Sequence, residues 1–101
     1  MKLRVCKVKE LMEGEKISIE HEGKKILVVN VEGKYYAVDG ICTHEYAELV
    51  NGIILEKRIV CPLHLSQFDL ETGEVMNPPA TEPLKTYKVK IEGDSIWVEV
   101  D

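Results

Sequence analysis

The sequence has no apolar stretch close to the ~20 residues that a membrane-spanning helix requires. Its opening, MKLRVCKVKELMEGEK, holds no continuous apolar segment long enough for a secretory signal. Both absences lead us to expect a cytoplasmic chain that does not engage a membrane. Positive charge is also short: Lys and Arg total 13 against 18 Asp and Glu, for a net charge of −5, and the basic residues are scattered rather than gathered into a stripe. That removes the electrostatic footprint of a nucleic-acid partner and leaves a protein partner with a basic surface as the better match. Cysteine is scarce, and the three present (Cys6, Cys42, Cys61) are odd in number and lack the spacing of a disulfide framework, which suits a reducing compartment. There is no Ser-His-Asp order, no phosphate-cradling glycine loop and no paired-carboxylate motif, so we expect no substrate chemistry belonging to the chain itself.

What is present is enough for one domain over residues 1–101. Apolar residues make up 45% of the sequence and charged residues 31%, a balance that supports a hydrophobic core beneath a solvated surface. Strand signals dominate. The runs KISIE (16–20), KILVVNV (25–31), KYYAV (34–38), IVC (59–61), TYKVKI (86–91) and SIWVEV (95–100) are short and rich in β-branched and aromatic residues. Between them, HEGK, VEGK, ETGE and IEGD each place a glycine where a tight hairpin wants a positive φ. The expected fold class is therefore all-β and antiparallel. Only VKELMEGE (8–15) hints at a helical turn, with Val8, Leu11 and Met12 falling on one face at i, i+3 and i+4.

Residues 39–80 differ in texture. Two loops, DGICTHEYAEL and CPLHLS, flank a weaker hairpin, GIILEKRIV, and the segment MNPPATEP (76–83) carries three of the four prolines. The first loop holds Cys42 and His44 as C-x-H; the second holds Cys61 and His64 as C-x-x-H. Either motif alone is weak. Together, on two loops joined by a hairpin in a cysteine-poor β domain, they specify one four-ligand metal site. Thiolate and neutral imidazole bind either zinc or an iron–sulfur centre, so donor type alone leaves both open. Cys6, in the β-rich N-terminal stretch, reads as a small buried side chain, and His21 as a solvated turn residue. Trp97 and the tyrosines other than Tyr46 read as packing; Tyr46, two residues after His44, reads as a candidate shield for the site.

CTH at 42–44, CPLH at 61–64, the hairpin between them and the proline segment that follows resemble the Rieske [2Fe-2S] family. The resemblance covers most of the chain and implies an antiparallel β-sandwich with a small cluster-binding subdomain made of two loops and a hairpin, spanning about 39–80. It implies one [2Fe-2S] cluster, with Cys42 and Cys61 on the inner iron and His44 and His64 on the outer one. Two ferric ions, two sulfides and two thiolates sum to zero charge with neutral imidazoles. Reduction then adds charge to a neutral centre rather than to a dianion, which raises the potential.

The resemblance also implies roles for neighbours. Ser66 matches a serine whose hydroxyl donates to the cluster in high-potential members, and Phe68 matches a tyrosine whose hydroxyl does the same; phenylalanine keeps only the packing. The loops also lack the extra cysteine pair of the respiratory type, so the expected potential is low or intermediate. Pro78 and Pro79 would belong to a third loop covering the cluster, and Tyr46 would shield it. Leu65 stands where the family usually has glycine, which puts the local backbone in question. The function implied is that of a ferredoxin: a one-electron carrier, not itself an enzyme, between a reductase and a terminal oxygenase or other oxidoreductase. Two other readings stay open, the small subunit of a nitrite reductase and, from a different class, a zinc-stabilised β module that only binds partners.

Overall fold

A computed structural model describes residues 1–43, 46–63 and 65–100; His44, Glu45, His64 and Asp101 lie outside the described residues. The β-branched runs form the central frame. Strand β1 covers Lys2–Lys7, β2 Lys16–His21, β3 Lys24–Val31 and β4 Lys34–Asp39; β5 is Ile53–Leu55, β6 Arg58–Val60, β7 Gln67–Asp69 and β8 Val75–Asn77; β9 is Thr86–Tyr87, β10 Val89–Glu92 and β11 Ser95–Glu99. They make three antiparallel sheets in the orders β1-β11-β10, β2-β3-β4-β9 and β5-β6-β7-β8.

Strands β2, β3 and β4 are joined by two-residue turns, closed by the pairs His21–Lys24 and Val31–Lys34. Glu22 and Gly23 in one turn, and Glu32 and Gly33 in the other, all hold positive φ. That is the primed-turn geometry whose twist matches the flanking strands. Because side chains alternate along a strand, β3 feeds two cores. Leu27 and Val29 join one with Cys42, Leu49, Ile59, Cys61, Phe68 and Leu84, while Ile26 and Val28 join the other with Cys6, Leu11, Ile96 and Val98. Each fully buried aliphatic or aromatic side chain of this kind contributes about 1.5–3 kcal/mol. The first core holds both motif cysteines, and the second lies under the sheet β1-β11-β10.

The expected strands are found, with corrections at their edges. TYKVKI is two strands: Thr86 and Tyr87 pair with β4, whereas Val89 onward pairs with β11, so the chain changes sheet at Lys88. IVC is displaced by one residue, ending at Val60, because Cys61 turns away to close a loop. The hairpin in the motif region is half of a four-stranded sheet, extended by the three-residue strands β7 and β8.

The helical turn expected over 8–15 is a single 3-10 turn, Val8–Glu10. Glu10 folds back to accept from the Lys7 N–H at 2.8 Å, and Gly14 at φ 82 redirects the chain soon afterwards. Leu11 is buried and Met12 exposed, so the common face does not form. Cys6 is buried, and burial is what raises its thiol pKa above the ordinary value. His21 ends β2 instead of occupying the turn. Its side chain is about four-fifths covered, with Nε2 3.8 Å from the Glu22 carboxylate. Trp97 carries the Lys2 ammonium over its ring at 5.1 Å, a packing role. Among the described residues no helix is long and apolar enough to cross a membrane.

Candidate metal centre

Each motif cysteine stands at the neck of its loop. After β4, the bridge between Ile41 and Glu48 draws the first loop together, and the Cys42 N–H donates to the Ala47 carbonyl at 2.9 Å. After β6, the Cys61 N–H donates to the Ser66 carbonyl at 2.7 Å, one step beyond the register pair Val60–Gln67. Both bonds run from cysteine to the residue five positions on, so two loops of different sequence close in the same way. The necks hold both cysteines inside the protein.

Both thiols are inside: Cys42 is 3% exposed and Cys61 is fully covered, and both belong to the apolar cluster with Phe68, Leu49 and Leu84. Apolar surroundings disfavour a thiolate unless a cation takes up its charge. Two cysteines brought from separate loops into one dry cluster therefore fit a metal-bound pair. No disulfide involves a described cysteine. The other two predicted ligands, His44 and His64, lie outside the described residues.

A third segment ties the two loops down. The Thr43 hydroxyl, in the middle of C-x-H, donates to the Glu82 carbonyl at 2.7 Å. The Ala80 N–H donates to the Ser66 Oγ at 3.0 Å, and the Asn77 side-chain amide donates to the Leu65 carbonyl at 3.4 Å. Residues 77–82 thus strap both motif loops. Pro78 and Pro79, joined by a cis peptide bond, are themselves exposed; the contacts with the loops come from the residues on either side of them. The covering role expected of the two prolines passes in part to Asn77, Ala80 and Glu82. Sequence reading missed these three because two act through the backbone, which leaves no signature in side-chain type.

Ser66 is fully buried and Phe68 likewise. With the Ala80 amide occupying one lone pair of Ser66 Oγ, the hydroxyl hydrogen remains to be donated. Phe68, paired with Ile59 across the sheet, packs in the cysteine cluster and has no polar atom to contribute. Tyr46, beside the first loop, is 98% exposed. Leu65 does adopt the glycine-like conformation, at φ 60. A left-handed backbone costs a non-glycine residue about 1–2 kcal/mol.

Below β7, the Asp69 carboxylate organises the turn before β8, accepting from the N–H groups of Glu71 at 2.8 Å and Thr72 at 3.0 Å. Burial works to raise its pKa, but these bonds together with the Lys57 charge outweigh it and hold the carboxyl below its ordinary value. In the same turn, a Cβ on Gly73 would stand 2.1 Å from the Leu84 carbonyl oxygen. The close approach lets the Leu84 N–H donate to the Gly73 carbonyl, which seats Leu84 in the cysteine core.

Comparison with known proteins agrees with this arrangement. The family model described as a Rieske [2Fe-2S] domain matches residues 1–88. The ferredoxin component of the naphthalene 1,2-dioxygenase system of Pseudomonas aeruginosa is 40% identical over 90% of this chain and 88% of its own length. Among solved structures, the Sphingomonas yanoikuyae B1 ferredoxin matches with a TM-score of 0.92 at 34% identity, covering 100% of both chains. A chain in a complex of reduced oxygenase and oxidized ferredoxin of carbazole 1,9a-dioxygenase matches with a TM-score of 0.93 at 28% identity, over 96% of this chain and 91% of that one. The small subunit of a putative nitrite reductase, at 21% identity, TM-score 0.80 and 99% coverage of both chains, shares the fold alone. With the family match running through both cysteine loops and the strap between them, the chain belongs to the Rieske [2Fe-2S] family.

Proposed function

We propose that this protein is a ferredoxin that carries one electron from a reductase to the oxygenase of a dioxygenase system, and that it has no catalytic activity of its own. The observation that carries the reading is the placement of Cys42 and Cys61. Two loops with matching necks deliver both thiols into one buried apolar cluster, as a buried thiolate pair on a metal requires. Cys42 and Cys61 would hold one iron, and His44 and His64 the other. When bound, the [2Fe-2S] cluster supplies one-electron redox chemistry near the potentials of Rieske centres, about −150 to +300 mV.

The remaining residues set the environment. Phe68, Leu49 and Leu84 exclude water from the cysteine side. Ser66 presents its hydroxyl hydrogen while the Ala80 amide holds its oxygen in place, and a donor to a cluster sulfur favours the reduced state. Phe68 supplies no second donor, which supports a low or intermediate potential. The relatives named as dioxygenase ferredoxin components, and the ferredoxin–oxygenase complex among the structural matches, support a reductase and an oxygenase as the two partners. All 101 residues would form one domain with its cluster-binding part at about 39–80, working in the cytoplasm, as the three cysteines without a disulfide support.

Absorption and EPR spectra of the purified protein before and after dithionite test the assignment. A coloured protein that becomes EPR-active on reduction, and loses both properties in Cys61→Ser, is the expected result. Colourless, EPR-silent protein with stoichiometric zinc would establish the interaction-module reading instead. A stable stoichiometric complex with a large nitrite reductase subunit would reassign the chain to that enzyme.

A further inference from the structure

Among the described residues, four that are not glycine hold a positive φ: Glu22, Glu32, Glu56 and Leu65. The three glutamates sit in the two-residue hairpin turns after β2, β3 and β5, where the turn geometry asks for that conformation and a polar side chain meets water. Leu65 belongs to none of these turns. It stands between His64 and Ser66 in the second motif loop, and it is 62% exposed.

Two costs coincide at this residue. Its Cβ crowds the backbone in the left-handed region, and a branched apolar side chain is left in water. Glycine would remove both. The loop shape does not depend on the leucine side chain, because the Asn77 amide holds the Leu65 carbonyl and the Cys61 N–H holds the next one. The backbone is thus fixed by its neighbours in a form that points leucine outward. Residues held in such conformations by the surrounding structure cluster at active sites, ligand clamps and switch regions. Leu63, on the same loop, is 48% exposed and extends the apolar character to the other side of His64.

We propose that Leu65 is a specificity-determining contact, whose side chain buries against an apolar patch on the oxygenase that takes the electron. The proposal rests on the electron-carrier reading above. Leu65 is bonded directly to His64, about 3.8 Å away along the chain, so a protein surface close enough to receive an electron through that histidine lies within reach of Leu65. An apolar patch there offsets the exposure of the leucine, and a polar surface would not. Partner choice then comes from the residue that departs from glycine.

The test compares holoprotein carrying Leu65, Leu65→Gly, Leu65→Ser and Leu65→Met. Oxygen uptake is followed with the reductase and oxygenase of the naphthalene 1,2-dioxygenase system of Pseudomonas aeruginosa, with the concentration of this chain varied. Midpoint potential, EPR spectrum and Tm are measured alongside. The expected result is a KM for the chain raised about tenfold or more in Leu65→Gly and Leu65→Ser, near wild type in Leu65→Met, with kcat, potential and EPR unchanged in all. Leu65→Gly should also melt no lower than wild type, which separates contact loss from unfolding. Wild-type KM in both Leu65→Gly and Leu65→Ser would overturn the proposal while leaving the carrier reading intact. Wild-type chain with an intact EPR signal but no oxygen uptake would overturn the carrier reading, and this proposal with it.

Discussion

The backbone N–H of Ala80 donates to the hydroxyl oxygen of Ser66 at 3.0 Å, 14 residues apart in sequence and fully inside the protein. This bond ties the proline segment to the second motif loop, and it leaves Ser66 with a hydrogen but little freedom in where to aim it. Ser66→Ala removes both functions. The orphaned Ala80 amide should cost about 1–3 kcal/mol, seen as a lower urea midpoint. The reduction potential of the holoprotein should fall as the donor is lost. An unchanged potential beside a lowered midpoint would confine Ser66 to a structural role.

Thr43 plays the corresponding part for the first loop, through its 2.7 Å bond to the Glu82 carbonyl. Thr43→Val keeps the shape and deletes the hydroxyl. The expected loss is about 0.5–1.5 kcal/mol in global stability. Loss of cluster absorbance under mild denaturant should also accelerate, because the strap then holds one loop only. Thr43→Ser, which keeps the donor, should restore most of the wild-type rate.

Gly73 sits where a Cβ would meet the Leu84 carbonyl oxygen at 2.1 Å, and its φ of 81 is one that L side chains resist. Gly73→Ala should therefore displace Leu84 from the cysteine core, at a cost of at least 2 kcal/mol, or roughly that of a strained backbone plus a partly vacated core site. Thermal unfolding measures the loss. A Tm within one or two degrees of wild type would show that the turn relaxes without moving Leu84.

Asp69 gives the pH dependence a definite sign. Its native pKa is lowered, so its contribution to stability is fully present above the unfolded value of about 3.9 and is lost as pH falls through the lower native one. Asp69→Asn keeps an oxygen for the Glu71 and Thr72 amides but does not titrate. The stability difference between wild type and Asp69→Asn, measured by urea unfolding, should be flat above about pH 5 and should shrink progressively below about pH 4. A difference that grows on acidification would contradict the assignment.

The parts of the fold legible in the sequence are those written in side-chain type. Val28, Val29 and their neighbours announced β3, and the Glu-Gly pairs announced the turns on either side of it. Two cysteines and two histidines in a doubled pattern point to a metal centre, and Cys42 and Cys61 are members of one buried cluster. Strands β7 and β8 were not legible, since three residues are too few for a period of two to show itself. The break at Lys88 depends on which sheet each half of TYKVKI finds, a tertiary outcome. Ala80 and Glu82 act through an amide and a carbonyl that every residue of their kind carries.

The alternation of β3 between two cores has a practical consequence for building with this protein. Ile26 and Val28 face the layer that holds Val98 and Val100, while Leu27 and Val29 face the layer that holds Cys42 and Cys61. The central sheet thus stands as a wall between the layer of Val98 and Val100 and the layer of the cysteines. A tether attached to an exposed residue of the β1-β11-β10 sheet, such as Lys90, would lie on the far side of that wall from Cys42 and Cys61. An electrode linker attached there should leave the two motif loops uncovered.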